Sequence, residues 1–586
     1  MALTPGLQML LRNLPKLTIP PLLVYVLSHF LVDLSPVETI FAYILSIPCS
    51  QLILSKWHSW ALRREMTRLG AQEMPKWEGK WPGSIDLLIE LYGHWMNGYP
   101  CDGIDDATDA LGLTFKTKIV GFDQVWTIDP RHVKSILATD FDGYAKGERL
   151  TNAMSTVLGN GIFNTDGDIW KFHRGITRPY FHRDRISDFA LFAKHGDNAI
   201  SQIKARMHEG LPVDFQDVMS RFTLDTATAF LLGFCVDSLS AGLPYPTSET
   251  NGSHVRHHSD AFARAFASAQ HKMSARSWTG PSWQLFEMFG DATKSDNEIV
   301  DEFIGPILKD ALAKKQKNEK SNIKLNPEED TMLNSLLSQT DDYKLLRDET
   351  VNILIAGRDT TASLLTSAIY CLSQHPEVAE KLRKEIINKV GLARSPTYED
   401  IKDMKYTRSV LNETLRLFPP VPFNVRETTR PTTWPPNNPG EKPYYLPSNS
   451  PICYSVWLMH RNKDFWGPDA LEFDPDRFID ERLHKYVVPN PFIFLPFNAG
   501  PRLCLGQQFA YNEASFMLIR LFQTFDSVSL AREAQPAWSR PPAAWKEAAH
   551  DGKRKAKEEF WPKTHLTLYA HGGLWVTMKE AGSSEA

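Results

Sequence analysis

Phe497-Asn498-Ala499-Gly500-Pro501-Arg502-Leu503-Cys504-Leu505-Gly506 is the stretch on which the reading of this chain turns. A thiolate that ligates a metal must be shielded, held still and supported by backbone N–H groups. Glycines at 500 and 506 let the backbone wrap closely around a sulfur, where a Cβ would collide. Arg502, two residues before Cys504, is placed to pair with an acidic group of a bound cofactor. A structural cysteine in a glycine-rich turn needs none of this company, and so many set positions within one short segment argue against that reading. None of the six cysteines (49, 101, 235, 371, 453 and 504) forms a CxxC pair, which excludes a zinc ribbon.

Upstream lies Ala356-Gly357-Arg358-Asp359-Thr360-Thr361, inside the apolar, helix-like run Thr350 to Ile369. Glycine loses entropy in a buried helix, and Asp and Thr compete there for backbone hydrogen bonds. Local rules broken inside a strong helix point to function. Glu413 and Arg416 form an i, i+3 acid–base pair, weak evidence alone at about 0.2–0.5 kcal/mol. They precede Pro475-Asp476-Arg477-Phe478, which in turn precedes Cys504, and Trp170-Lys171-Phe172-His173-Arg174 stands earlier in the chain.

In this order the motifs resemble the cytochrome P-450 family, from about residue 80 to 578. That resemblance implies a mainly α fold with a minor β portion: a helical haem-binding body with small sheets. It implies haem b (iron protoporphyrin IX) as cofactor, with Cys504 as axial ligand of the iron. Arg502, Trp170, Arg174 and Arg426 match positions that bind haem propionates, and Phe497 and Gly357 fall at positions beside the cofactor. Asp359 and Thr360 match the acid–alcohol pair that relays protons to bound dioxygen, on a helix kinked over the haem. Glu413, Arg416 and Arg477 match a buried ion network and are read as scaffold. Leu354, Pro422, Phe423, Val425, Leu574 and Trp575 resemble positions that line the substrate pocket.

Composition agrees with this picture. The 586 residues carry 65 basic and 69 acidic side chains, a net charge of −4, which argues against a nucleic-acid protein. With 42% hydrophobic residues the chain builds a soluble core and is no many-pass transporter. Two apolar stretches open it, Leu17 to Val32 and Thr39 to Leu54. Each spans roughly 24 Å as helix, a little under the hydrocarbon thickness. Arg12 and Lys16 lie before the first, Lys56, Arg63 and Arg64 follow the second, and the connector holds only Asp33 and Glu38. Residues 1–65 therefore read as a membrane anchor of one or two passes, and residues 66–586 as a catalytic domain facing the cytosol at the endoplasmic reticulum. The sequons at Asn251 and Asn412 would then go unused.

Within that domain, Thr114 to Ile128 alternates around Gly121-Phe122-Asp123, a hairpin signal. Asp129-Pro130 starts a helix. Helical patterns follow at 131–137, 216–232, 301–313 and 375–390. Lys314 to Asp330 reads as a polar surface loop, and 531–563 as a second, surface insertion rich in Ala, Pro, Lys and Glu.

The chain shows no G-x-G-x-x-G strand–turn–helix and no flavin segment, so electrons must come from outside. The resemblance implies NADPH–cytochrome P-450 reductase as donor, with cytochrome b5 as an optional second, and a cationic Lys171, Arg174, Arg178 face to receive it. O2 and a lipophilic small molecule are the substrates. Lys344 to Thr361 and Trp561-Pro562-Lys563 with His565-Leu566-Thr567 look like fungal alkane and fatty-acid hydroxylases, implying long-chain aliphatic hydroxylation. Terpenoid-type biosynthetic oxidation and xenobiotic or aromatic oxidation remain open by the same chemistry. So do a haem-thiolate isomerase or dehydratase and a haem-binding sensor, both disfavoured by Asp359-Thr360.

Overall fold

The apolar run 350–369 lies inside one unbroken 32-residue helix, Tyr343–Gln374, in a computed structural model of the chain. The structure describes residues 3–32, 35–182, 186, 189–246, 258–320, 331–547 and 552–582. Asp342 caps the helix by accepting from Lys344 N, and Pro376, which starts the next helix, disfavours helical backbone at His375. This central helix packs against helices Phe215–Ala227, Lys294–Lys320, Lys405–Leu417 and Gln507–Thr524. Its Leu364, Leu365, Ala368 and Ile369 are almost wholly buried. Each large apolar side chain so buried contributes about 1.5–3 kcal/mol.

A six-stranded sheet stands beside this helical body, in the order Lys76–Trp77, Thr114–Ile119, Phe122–Thr127, Pro451–Ser455, Phe423–Thr428, Tyr144–Ala145. The expected hairpin is its second and third strands, with Ile119 opposite Phe122. The turn therefore falls at Val120-Gly121, both with left-handed φ, as a two-residue hairpin loop requires. A three-stranded sheet joins Phe525–Leu530, Trp575–Glu580 and Val213–Asp214, and a hairpin joins Pro562–Thr564 to Leu568–Ala570. The mainly α architecture with small sheets is as expected.

Two expectations change. Lys314 to Lys320 is not loop but the end of helix Lys294–Lys320, because Lys, Gln and Glu are good helix formers even without an apolar face. Residues 321–330 lie outside the described residues, as does Asn251. Asn412 lies within helix Lys405–Leu417, and its amide oxygen accepts from Tyr511 Oη at 2.7 Å. The segment 531–563 is not confined to the surface, since Trp545, Arg554, Glu558 and Phe560 are buried. Glu558 accepts from Tyr99 Oη (3.0 Å), Tyr370 Oη (2.7 Å) and Arg554 Nε (2.9 Å), and Arg554 also donates to Leu471 O. Polar composition hid a buried ion pair that pins the segment to the body.

Both N-terminal stretches are longer helices than their apolar cores, Pro5–Phe30 and Pro36–Arg68. Ser35 and Glu38 form a reciprocal capping box that starts the second. Among the described residues, Pro36–Arg68 is the one helix long and apolar enough to cross a membrane. The first carries prolines at 15, 20 and 21, and its start is tied to the body. There Thr4 Oγ1 donates to Met288 O at 2.6 Å and Gly6 N to Glu287 O at 3.2 Å.

Removing one partner of a buried ion pair strands the other charge, at a cost of about 3–5 kcal/mol. Glu558→Gln is therefore expected to destabilise the domain by about 3 kcal/mol, read as a lower urea midpoint at unchanged m-value. A midpoint within error of wild type would mean that the segment is not held by this pair.

Candidate active site

The cysteine loop is built from the backbone outward. Gly500 has φ +63°, and a Cβ there would overlap the carbonyl oxygen of Leu137. Cys504 N–H donates to Phe497 O at 3.0 Å, and the Gly506 N–H donates to the Cys504 sulfur. Asn498 also takes a left-handed φ, which asparagine tolerates. Its side chain accepts from Tyr454 Oη at 2.8 Å and donates to Asn424 Oδ1 at 3.2 Å, anchoring the loop to the six-stranded sheet. The Phe497 ring lies 5.1 Å from Tyr511 on the following helix, Gln507–Thr524.

The sequence argument that both glycines avoid the sulfur is corrected by these contacts. Gly500 is required by Leu137. Gly506 has an ordinary φ of −82°, and a Cβ there would meet Phe181 at 3.4 Å, a normal contact. Cys504 is open on one side yet lies deep enough for burial to raise its thiol pKa, which Gly506 N–H and the Arg174 charge pull back down.

Beside the loop, four cations lie close together, and one of them, Arg502, pairs with Asp166. Arg502 lies 4.4 Å from the centre of the buried Trp170 ring and donates to Asp166 Oδ1 at 2.6 Å. Arg174 sits 5.7 Å from the same ring and donates to Leu503 O at 3.0 Å. Arg426 is buried and bonds only its neighbour's carbonyl, Val425 O, at 2.7 Å. Lys146 is the fourth, with its ammonium pushed well below its ordinary pKa by burial and by the Arg426 and Arg502 charges. The same surroundings lower Arg502 to about 10. Among the described residues, neither Arg426 nor Lys146 has an ion-pair partner. With Asp166 bonded to Arg502, and the neighbouring buried Glu427 answered by Arg149, these cations still repel one another unless an anion joins them. With the open thiol nearby, this donor set fits an iron macrocycle bearing two carboxylates.

Sequence reasoning missed Lys146. It follows strand Tyr144–Ala145, whose pairing with Thr428 and Glu427 brings it to Arg426, and no local motif marks it.

On the central helix, Thr360 Oγ1 donates to Ala356 O at 2.7 Å. Asp359 accepts from Arg358 Nη1 at 2.9 Å and from the buried Gln270 at 2.6 Å. Gln270 belongs to helix His258–Trp278. His565, at the tip of the Pro562–Leu568 hairpin, is held near pKa 4 by burial, with the Asp359 charge opposing, so it is neutral at pH 7. Gln270 was not anticipated at all, and His565 only within a stretch valued for its resemblance.

Gly357 also has a packing role in the helical body. A Cβ there would lie 2.9 Å from Ala227 Cβ, so the glycine permits close approach of helix Phe215–Ala227. The helix is also not interrupted at this point.

The scaffold network assembles with every member fully buried. Glu413 accepts from Arg416 Nε and Nη2, both at 2.7 Å, and lies 3.6 Å from Arg477 Nε. Of the pocket candidates, Phe423 lines a cavity, Val425 is half-buried and Pro422 is buried. Leu354 is a core residue with no exposed surface. Leu574 and Trp575 belong elsewhere: Leu574 N donates to Asp214 Oδ1 at 3.0 Å, and Trp575 pairs with Asp214 in the three-stranded sheet. A turn through Gly572 and Gly573, both left-handed, carries the chain away before Leu574. The hairpin tip at 565–567 is what reaches the central helix.

The Cytochrome P450 family model matches residues 94–542, more than half of the chain. The chain belongs to the cytochrome P-450 family. Among curated relatives of this cytochrome P-450, monooxygenase g430 of a Fusarium species is 36% identical over 84% of the chain and 85% of the relative. Cytochrome P-450 52A3-A of Candida maltosa is 37% identical over 77% and 85%. Monooxygenase himC of Aspergillus japonicus is 35% identical over 80% and 77%.

In this cytochrome P-450 the two loop glycines are expected to differ. Gly500→Ala, forced into left-handed backbone against a carbonyl, should cost about 1–3 kcal/mol or more and lower haem content per chain. Gly506→Ala should cost less than about 1 kcal/mol. Thermal midpoints and haem absorbance of the two variants, side by side, check the ranking, and the reverse order would overturn this account of the loop.

Proposed function

We propose that the protein is a haem-thiolate monooxygenase that hydroxylates a long-chain aliphatic substrate, using electrons from NADPH–cytochrome P-450 reductase. The observation that carries this reading is the Cys504 sulfur under the Gly506 N–H, beside four neighbouring cations of which Arg502 pairs with Asp166 and Arg426 and Lys146 have no ion-pair partner among the described residues. Cys504 would ligate haem b, and Arg174, Arg426, Arg502 and Lys146 would hold its propionates against Trp170. Bound there, the haem supplies the oxidising chemistry that places one atom of O2 into a C–H bond, with thiolate donation favouring O–O cleavage.

The rest is the work of this chain's own side chains. The Thr360 hydroxyl, parked on Ala356 O, is free to turn and donate a proton across the helix surface. Asp359 takes up protons as a carboxylate, and Arg358 and Gln270 hold it in place until it does. Neutral His565 next to Asp359 adds no charge to the relay. Apolar Phe423, Val425 and Pro422 exclude water beside the substrate, and methylene contacts of this kind select lipophilic molecules without choosing finely among them.

The aliphatic substrate is supported by the resemblance of 344–361 and 561–567 to alkane and fatty-acid hydroxylases. The pairing of Asp359 with Thr360 favours oxygen activation over isomerase or dehydratase chemistry. Helix Pro36–Arg68 would anchor the protein in the endoplasmic reticulum membrane, with residues 66–586 facing the cytosol and its reductase. For that partner the cationic face narrows to Lys171 and Arg178. Among the described residues exposed Lys171 pairs with exposed Asp168 at 3.0 Å, whereas Arg174 is engaged by Leu503 O and the Trp170 ring.

The test is the carbon monoxide difference spectrum of the dithionite-reduced protein. A strongly red-shifted Soret band, lost in Cys504→Ser, is the expected outcome. A band typical of histidine-ligated haem, unchanged in the variant, would defeat the reading. For the relay, Thr360→Ala should leave that band intact yet lower product formed per NADPH consumed by about tenfold or more. Unchanged coupling would remove Thr360 from proton delivery.

A further inference from the structure

Helix Ala190–His208, helix Phe215–Ala227 and the turn at 233–237 meet at three side chains of unlike chemistry, His195, Asp225 and Cys235. One ligand atom from each lies within 4.8 Å of the other two. His195 Nε2 stands 4.0 Å from Cys235 Sγ. His195 and Asp225 are buried and Cys235 is half-buried, so the cluster opens to solvent on the side of the sulfur. None of the three belongs to the cysteine loop or the central helix, and the chemistry of the haem site uses none of them.

Each group keeps lone pairs that the fold does not use. Asp225 accepts from Ser238 N at 2.6 Å and from Leu239 N at 3.0 Å, capping the short helix Ser238–Ala241. Each carboxylate oxygen retains a further acceptor site, and among the described residues no cation pairs with Asp225. The Cys235 sulfur accepts from Asp237 N–H at 3.3 Å, a bond that steadies a ligating thiolate from outside. Among the described residues the His195 ring bonds only toward Cys235. Capping explains Asp225, but it does not explain a buried imidazole and a thiol turned toward the same carboxylate. Burial lowers the His195 pKa and raises that of Cys235, so both are uncharged at neutral pH. Both feel the negative charges of Asp225 and Asp237 against the single positive charge of exposed Lys194, a balance that favours a cation.

We propose that His195, Asp225 and Cys235 form a binding site for one divalent cation of the zinc class, separate from the haem. One nitrogen, one oxygen and one sulfur donor suit zinc, whereas magnesium and calcium take oxygen ligands. Donor atoms around a tetrahedral zinc lie roughly 3.3–3.6 Å apart. The 4.0 Å separation of His195 Nε2 and Cys235 Sγ is therefore close to what the ion requires, and the turn at 233–237 need move only slightly to reach it.

On binding, the Cys235 thiol gives its proton to solvent, one for each ion taken up. The resulting thiolate and the Asp225 carboxylate match the two positive charges, while neutral His195 ligates through a ring nitrogen. Water fills the fourth position from the open side. The ion then clamps helix Ala190–His208 to helix Phe215–Ala227. The second of these packs on the central helix, where Thr223 Oγ1 donates to Arg358 O at 2.9 Å. The clamp thus braces the helix that lies behind the acid–alcohol pair.

The test uses the full haem-loaded chain in lipid nanodiscs, stripped with EDTA and then titrated with zinc chloride. Zinc and iron per chain are counted by mass spectrometry, and the zinc-edge X-ray absorption spectrum of the loaded wild type reads its ligands. One zinc per chain is expected, with one sulfur at about 2.3 Å and nitrogen and oxygen at about 2.0–2.2 Å. Cys235→Ser and His195→Gln should each weaken zinc binding by about tenfold or more at unchanged iron per chain. Zinc should raise the thermal midpoint of wild type and not of either variant, and magnesium should raise neither. Cys49→Ser, which removes an exposed thiol on the N-terminal helix Pro36–Arg68, should leave zinc binding as it is. No uptake at micromolar zinc would overturn the site, as would an absorption spectrum without sulfur. Uptake that survives both site substitutions, or is lost in Cys49→Ser, would place the ion on other side chains and overturn it equally.

Discussion

The carboxylate of Glu413 has no exposed surface, and the geometry of the cysteine loop descends from satisfying it. A charge buried to that degree must be paired and hydrogen-bonded or the fold loses several kcal/mol. Arg416 pairs with it twice and spends its remaining donors on the carbonyls of His460, Ala470 and Glu472. His460 is thereby placed with Nδ1 on the Arg416 carbonyl, so this nitrogen carries the proton. Its Nε2 then accepts from Leu495 N at 2.9 Å, two residues before Phe497. Burial and the Arg416 charge hold this imidazole near pKa 3, in the neutral form that such bonding needs. Four links thus run from a buried acid to the segment that presents Cys504. Arg477, bonded to Trp466 O and to Asp469, closes the same network from the other side.

The site itself is held in a different way. The scaffold network has every charge answered within the protein, whereas the cations at 146, 174, 426 and 502 stand close to one another, and among the described residues Lys146 and Arg426 have no ion-pair partner. Folding alone would not favour that arrangement, because like charges at close range raise each other's cost as the dielectric falls. Binding a dianionic cofactor reverses the sign. The contrast separates scaffold from site on electrostatic grounds: satisfied charge holds the fold, and unsatisfied charge awaits a ligand.

Much of this was legible in the chain because it is written in short windows. The Cys504 loop, the 356–361 segment, Glu413 with Arg416, and Arg477 each lie within a few residues of their motif partners, and the structure assembles them. The helical character of the body and the 114–128 hairpin followed from periodicity of 3.6 and of 2. Other features failed for identifiable reasons. Leu574 and Trp575 were assigned by resemblance to pocket positions, and a two-glycine turn sends them to another sheet. The packing role of Gly357, whose missing Cβ lets a neighbouring helix approach, was not legible in its motif. The polar composition of 531–563 concealed the buried Glu558–Arg554 pair, since composition does not reveal which charges are answered.

By itself the sequence determined the thiol, the acid–alcohol pair, the buried acid–arginine scaffold and the mainly helical architecture. These depend on residue type at short spacing, and local backbone chemistry constrains them. Tertiary structure alone decided that Lys146 joins Arg426 and that Gln270 and His565 converge on Asp359. Each of those meetings joins residues far apart in sequence through strand pairing or helix packing. Only the folded chain sets such contacts, because they depend on which surfaces become neighbours once the apolar core has formed.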